Sequence, residues 1–181
     1  MLGENLPQVS NQSLSRGRQG NLETVQIMRQ VAHTRKSHPL IRQLALNILQ
    51  SRNTPSQNHA DEAKAIGDYV KAKVRYVKDI SGVEQLHDPI TMIDQIKRGV
   101  AQGDCDDMSL LIATLLLSVG LQPYFRIVKY QDDSGPFNHI YVVVYEKNWG
   151  ETKKRIVLDA ILKRASIGTE VPHQQGREIK A

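Results

Sequence analysis

Cys105, His139 and Asp159 are the residue types that acyl transfer through a thiol requires. A thiol attacks a carbonyl as the thiolate, and a free cysteine with a pKa of about 8.5 is mostly protonated at neutral pH. Activation therefore needs positive charge and a base. Gly103 and Asp104 precede Cys105, and an apolar run from Leu110 to Val119, ended by Gly120, follows it. Asp104 reads as a cap, so Cys105 falls in the first turn of a buried helix. The helix terminus brings partial positive charge and unpaired backbone N–H groups, which favour a thiolate and can hold an oxyanion. His139 is of the type that serves as base. Asp159 can then accept the Nδ1 proton of His139, fix its tautomer and stabilise the imidazolium, provided the two strands that carry them are neighbours.

Each residue taken singly also fits a structural role. A lone cysteine beside an apolar helix is commonly a small core residue, a strand histidine is commonly a satisfied structural one, and Asp159 can simply end a strand. Their joint occurrence on the right kinds of element points to chemistry. No glutamine can be assigned as a side-chain oxyanion donor: Gln102 is nearest in sequence, Gln85 and Gln95 lie upstream, and the backbone N–H of Cys105 is the simpler donor. Asp104, Cys105, Asp106, Asp107 and His139 could all ligate a metal. Their spacing argues against one, because successive residues at a helix start should point apart and the second Cys or paired His of a zinc site is absent. The expectation is no metal and no cofactor.

The elements that must position these residues follow from periodicity. Helical spacing runs from Leu22 to about Val31, from Pro39 to about Gln50, and from Ala60 to Val77. Asp88 and Pro89 read as a cap and first-turn proline ahead of a short helix, Ile90 to Lys97, that Gly99 ends. After the Cys105 helix the period changes to that of strands. Tyr124 to Tyr130, Phe137 to Glu146 and Lys154 to Ala160 read as three sequential antiparallel strands separated by turn residues. Alternation puts His139, Tyr141, Val143 and Tyr145 on one face of the middle strand, with Ile140, Val142 and Val144 on the other. Helices first and strands afterwards predict an α+β fold with helices packed on a small antiparallel sheet.

The chain's 181 residues, 40% hydrophobic, suit one sizeable core. Its 24 Lys and Arg against 19 Asp and Glu are scattered, and aromatics make up only 5%. Direct nucleic-acid reading is therefore not expected. One cysteine cannot form an intramolecular disulfide, and a reducing compartment such as a cytoplasm suits it. Neither a signal peptide nor a membrane span is read in the sequence. Residues 1–20, rich in Ser, Asn, Gln, Gly and Arg, read as an arm that is flexible or bound to another chain. Residues 21–57 read as a helical extension, 58–165 as the main domain, and 166–181 as a polar tail.

The run Gly103 to Asp107 ahead of an apolar helix, then Asn138 to Val142, then Val157 to Ala160, resembles the three sequence blocks of the transglutaminase-like superfamily, in that order. The resemblance covers about Ala60 to Ile161. It implies a papain-like core in which Cys105 is the nucleophile, His139 the general base and acid, and Asp159 the orienter, acting on a protein or peptide substrate. Tyr141 is a departure, because many members carry Trp two residues after the His. The acidic flank of Asp104, Asp106 and Asp107 opposes thiolate formation. With Val74 to Asp79 and with Asp88 and Pro89, the blocks resemble the variant found among tailed-phage and prophage structural genes. That variant implies virion subunits as alternative partners, and a non-catalytic assembly role as the alternative function.

Overall fold

The computed structural model describes residues 18–55, 57–78, 86–129, 138–146, 154–162 and 165–181. It is an α+β arrangement in which five helices gather on one side of a four-stranded antiparallel sheet. The helices are α1 (Arg18–Arg35), α2 (Pro39–Ser51), α3 (His59–Lys73), α4 (Pro89–Lys97) and α5 (Cys105–Ser118). The main strands are β3 (Pro123–Lys129), β4 (His139–Tyr145), β5 (Arg155–Leu158) and β6 (Gln175–Lys180), in the order β5-β4-β3-β6. A separate parallel pair, β1 (Arg75–Tyr76) and β2 (Gln102–Gly103), leads into α5. Among the described residues, no helix is long and apolar enough to cross a membrane.

Helix α5 is the axis of the core. Its residues from Asp107 to Leu116 are all buried, and it packs against the other four helices and against β3 and β4. A helix that is apolar all round is stable only when enclosed in this way. The inner face of the sheet meets it through Phe125, Ile127, Ile140, Val142, Val144, Ile156 and Leu158. The outer face carries a smaller cluster of Val128, Tyr141, Val143 and Val157. Both faces of β4 are therefore covered, and its residues from His139 to Val144 are buried.

Element ends shift by a few residues from the periodic reading, as β5 does in stopping at Leu158, and three differences go further. The third helix stops at Lys73 rather than Val77: Val74 is extended (φ −109, ψ 124), and Arg75 and Tyr76 pair with Gln102 and Gly103. Helical spacing continues past this point, but backbone pairing with a segment 27 residues away outweighs it, as tertiary context commonly does. Residues 18–20, assigned above to the arm, form the first turn of α1, while 1–17 lie outside the described residues. The segment read as a polar tail supplies a fourth strand. β6 pairs antiparallel with β3 from Tyr124↔Lys180 to Lys129↔Gln175, Ile167 reaches the core, and Ala181 is 1% exposed. Its apolar content is too low to mark a strand, because the outward face of an edge strand needs none.

Deleting residues 175–181 is therefore expected to lower stability by on the order of 3 kcal/mol, through loss of a whole hydrogen-bonded ladder. It should also leave the β3 edge open to self-association. Thermal melts with light scattering on the deleted and full chains check this. A solvated tail would give two identical melts.

Candidate active site

The first turn of α5 is built by two carboxylates. The Asp104 side chain accepts the backbone N–H groups of Asp106 (3.0 Å) and Asp107 (3.3 Å), and the Asp107 side chain reaches back to the Asp104 N–H (3.2 Å). This is a reciprocal capping box. Asp107 is fully buried and also accepts the His87 backbone N–H and binds His87 Nδ1, both at 2.7 Å. A buried carboxylate is tolerable only with such a set of donors. One side chain thus knits the segment before α4, the end of β2 and the start of α5. Gly103 is required by this closeness rather than by a turn: a Cβ there would lie 2.7 Å from the Asp107 side chain.

Cys105 is placed against β4 by a double contact with one residue. The Ile140 backbone N–H meets the Cys105 thiol, and the Ile140 carbonyl accepts the Ser109 hydroxyl at 3.2 Å. Cys105 and Ser109 are one turn apart and share a helix face. The β4–β5 ladder runs only from Tyr145 back to Val142, so Ile140 lies beyond it and its peptide groups bond to α5. Ser109 is one of three hydroxyl residues in α5, with Thr114 and Ser118, and its place four residues after the cysteine is the signal in the sequence that could have found it.

His139 and Asp159 meet directly. His139 Nε2 lies 2.7 Å from Asp159 Oδ2, with the side chains 3% and 4% exposed. Asp159 Oδ1 accepts the Ile161 N–H at 3.2 Å, which holds the carboxylate in place. The register that pairs Val142 with Leu158, carried one residue further, puts Asp159 across from Tyr141 and diagonal to His139. The ring nitrogen differs from the one anticipated: Asp159 binds Nε2, not Nδ1. With Nε2 turned to the carboxylate, Nδ1 is the nitrogen through which the ring can exchange a proton with another group. The Tyr141 ring lies against the imidazole, with centroids 5.6 Å apart.

The electrostatics of the thiol run against ionisation. Burial pushes the Cys105 thiol well above its ordinary range, and the neighbouring carboxylates of Asp106 and Asp104 push it further. The Ile140 N–H acts in the opposite direction. The thiol donates to Asp106 Oδ1 at 3.3 Å, which also favours the protonated form. The resting group is a thiol. The ligand atoms of Asp104, Cys105 and Asp106 lie within 4.8 Å of one another, so successive residues here converge instead of pointing apart. Asp104 is already engaged as the cap and Asp106 with the thiol.

Of the glutamines, Gln102 is exposed on β2 with its Oε1 accepting from Arg75 (2.7 Å). Gln95 lies on α4 with its Oε1 buried and, among the described residues, without a partner. Gln85 is outside the described residues. Because the capping box takes the N–H groups of Asp106 and Asp107, the Cys105 N–H is the first-turn donor it leaves for a ligand.

No protein-family model matches the chain, and comparison with curated proteins gives no significant match. Among solved structures it is similar to LapG of Legionella pneumophila in an EGTA-treated form, with 15% identity over 74% of this chain and 70% of that one and a TM-score of 0.42. A candidate cysteine protease from Cytophaga hutchinsonii gives 15% identity, 81% and 52% coverage and a TM-score of 0.43. A candidate protease from Parabacteroides distasonis gives 13% identity, 84% and 31% coverage and a TM-score of 0.49. The chain thus spans about half and about a third of the last two. Likenesses this distant assign no activity.

Alkylation of Cys105 should follow its raised thiol. The rate at pH 7 is expected to fall below that of free cysteine and to keep climbing above pH 8.5, where free cysteine levels off. Asp106→Asn removes a negative charge at 3.3 Å and should speed alkylation at pH 7 about tenfold, the effect of moving a pKa by about one unit. Stopped-flow iodoacetamide labelling of both proteins across pH checks the sign and the size.

Proposed function

We propose that the chain is a transglutaminase-like cysteine acyltransferase or amidase with a papain-like core, acting on a protein or peptide through Cys105, His139 and Asp159. The observation that carries this reading is the buried 2.7 Å contact between His139 and Asp159, on the residue preceding the one whose N–H meets the Cys105 thiol. An imidazole held by a carboxylate, one residue along β4 from the peptide that a helix-start thiol meets, supplies the parts of a base and its orienter for that nucleophile.

The chemistry follows from the resting thiol. His139 takes the Cys105 proton as Sγ bonds to the amide carbon, so deprotonation accompanies attack instead of preceding it. The oxyanion that forms is held by the Cys105 N–H and the positive end of α5. The C–N bond then breaks, the departing amine takes the proton back from the imidazolium, and a thioester remains on Cys105. Water resolves it to an acid, or a second amine resolves it to a new amide. Hydrolysis is favoured, since nothing in the sequence marks a dedicated amine pocket. Asp159 keeps the ring oriented and offsets the imidazolium charge throughout.

One observation favours a second reading. Burial, with the acidic flank behind it, holds Cys105 protonated, which suits a chain that keeps the scaffold without using it, such as an assembly protein of a phage virion whose N-terminal arm binds a neighbouring subunit. In that case the chain would act within a particle assembled in bacterial cytoplasm.

Trapping separates the two. A peptidyl electrophile should form an adduct on Cys105, and His139→Ala should slow it by about 10²-fold or more, the contribution of a positioned base. Intact-mass spectrometry of wild type, His139→Ala and Cys105→Ala reads the outcome. Equal, slow labelling of wild type and the histidine variant would leave only the scaffold reading.

A further inference from the structure

The outer face of the sheet holds a charged cluster that the acyl-transfer chemistry does not use. After β5, residues 165–174 leave that edge of the sheet, with the Gly168 N–H on the Val157 carbonyl, and lead to β6 at the other edge. This strap carries Glu170 and His173. Arg126, on β3 opposite Tyr141, is its anchor. Arg126 Nε lies 3.1 Å from both Glu170 Oε1 and the Tyr141 hydroxyl, one terminal nitrogen donates to Glu178 (3.1 Å), and the other to His173 Nε2 (2.8 Å). The His173 Nδ1–H donates to the Val171 carbonyl at 3.1 Å, which leaves Nε2 as the acceptor. Gly176 completes the socket, since a Cβ there would lie 2.7 Å from the Arg126 guanidinium. Arg155 also pairs with Glu170 and Glu178. The strap is therefore fixed, and Glu170 is a fixed acceptor.

Glu170 accepts the Tyr141 hydroxyl. Tyr141 is 3% exposed, and its ring lies against His139. We propose that Glu170 is a positioning residue for His139: through the Tyr141 hydroxyl it clamps the Tyr141 ring over the His139–Asp159 pair and keeps water from it. This deepens the acyl-transfer reading and rests on it for its catalytic meaning, although the clamp itself is a physical claim about one hydrogen bond. The strap thereby ties the end of the chain to the imidazole. Burial of the phenol raises the Tyr141 hydroxyl above its ordinary range against the opposing pull of Arg126 and Arg155, so it stays protonated, as a donor to Glu170 must be.

The test reads the clamp apart from turnover. In the full-length, 15N-labelled protein, the His139 Nε2–H proton is assigned by its absence in His139→Ala, and its exchange with water is measured. Tyr141→Phe and Glu170→Ala should each speed exchange about tenfold, the size of effect that loss of one hydrogen bond produces. The double variant should be no faster than either. Glu170→Gln, which keeps an acceptor oxygen but loses the charge pairing with Arg126 and Arg155, should stay near wild type. Unchanged exchange in Tyr141→Phe overturns the proposal, as does Glu170→Gln exchanging as fast as Glu170→Ala. Tyr141→Phe keeps both the ring and the charge cluster, so it decides alone if Glu170→Ala does not fold. Electrophile trapping on Cys105 is scored separately: faster exchange with no histidine-dependent trapping upholds the clamp and removes only the acyl-transfer reading.

Discussion

The structure turns on how the start of a buried helix meets one peptide of β4. Helix α5 runs through the core, so its first-turn N–H groups sit where water cannot serve them all. Asp104 and Asp107 supply the acceptors, and Ser109 fastens the helix to the Ile140 carbonyl. Everything that places Cys105 beside the His139 strand follows from that docking. Without the cap the helix start would carry orphaned donors. Without Ser109 the α5–β4 contact would lose the hydrogen bond that sets its axial position.

The same device imposes an electrostatic cost on the chemistry. Carboxylates at a helix N-terminus stabilise the helix, but the negative charges beside Cys105 oppose the thiolate that the helix terminus would otherwise favour. Burial opposes it more strongly still. A site of this kind cannot rely on a pre-formed thiolate and imidazolium. It requires a base close enough to take the proton during attack, which gives the His139–Asp159 contact its weight in the functional reading. The Nε2 attachment of Asp159 suits that role, since it leaves the ring to work through Nδ1.

Around this centre the polar groups are partitioned by face. The inner face of the sheet is apolar against α5, while the outer face pairs Arg126 and Arg155 with Glu170 and Glu178 beside Tyr141 and Tyr145. Two cations and two anions balance there, so the half-buried charges have partners. The 165–174 strap then covers the outer side of β4, and His139 is enclosed although it lies on the face turned away from the helices.

The sequence by itself determined most of the elements that bear the candidate site residues. Asp104 before an apolar run put Cys105 in the first turn of a helix, and β-branched and aromatic alternation put His139 on a strand and Asp159 at the end of one, because caps and periodicity are local properties of the chain. The α+β class followed from the order of those elements. What only the tertiary structure decided is every feature that joins distant segments. β1 forms where helical spacing continues, because Gln102 and Gly103 offer it a pairing edge. β6 arises from a polar segment, because β3 has an edge to fill. Asp159 takes Nε2 rather than Nδ1, because the register sets it diagonal to His139. Asp107, Ser109 and Glu170 acquire their partners in the same way. Local spacing records which face a residue turns to its own element, but a hydrogen bond between residues 20 or more positions apart depends on how the elements pack, and no periodicity in the chain encodes that.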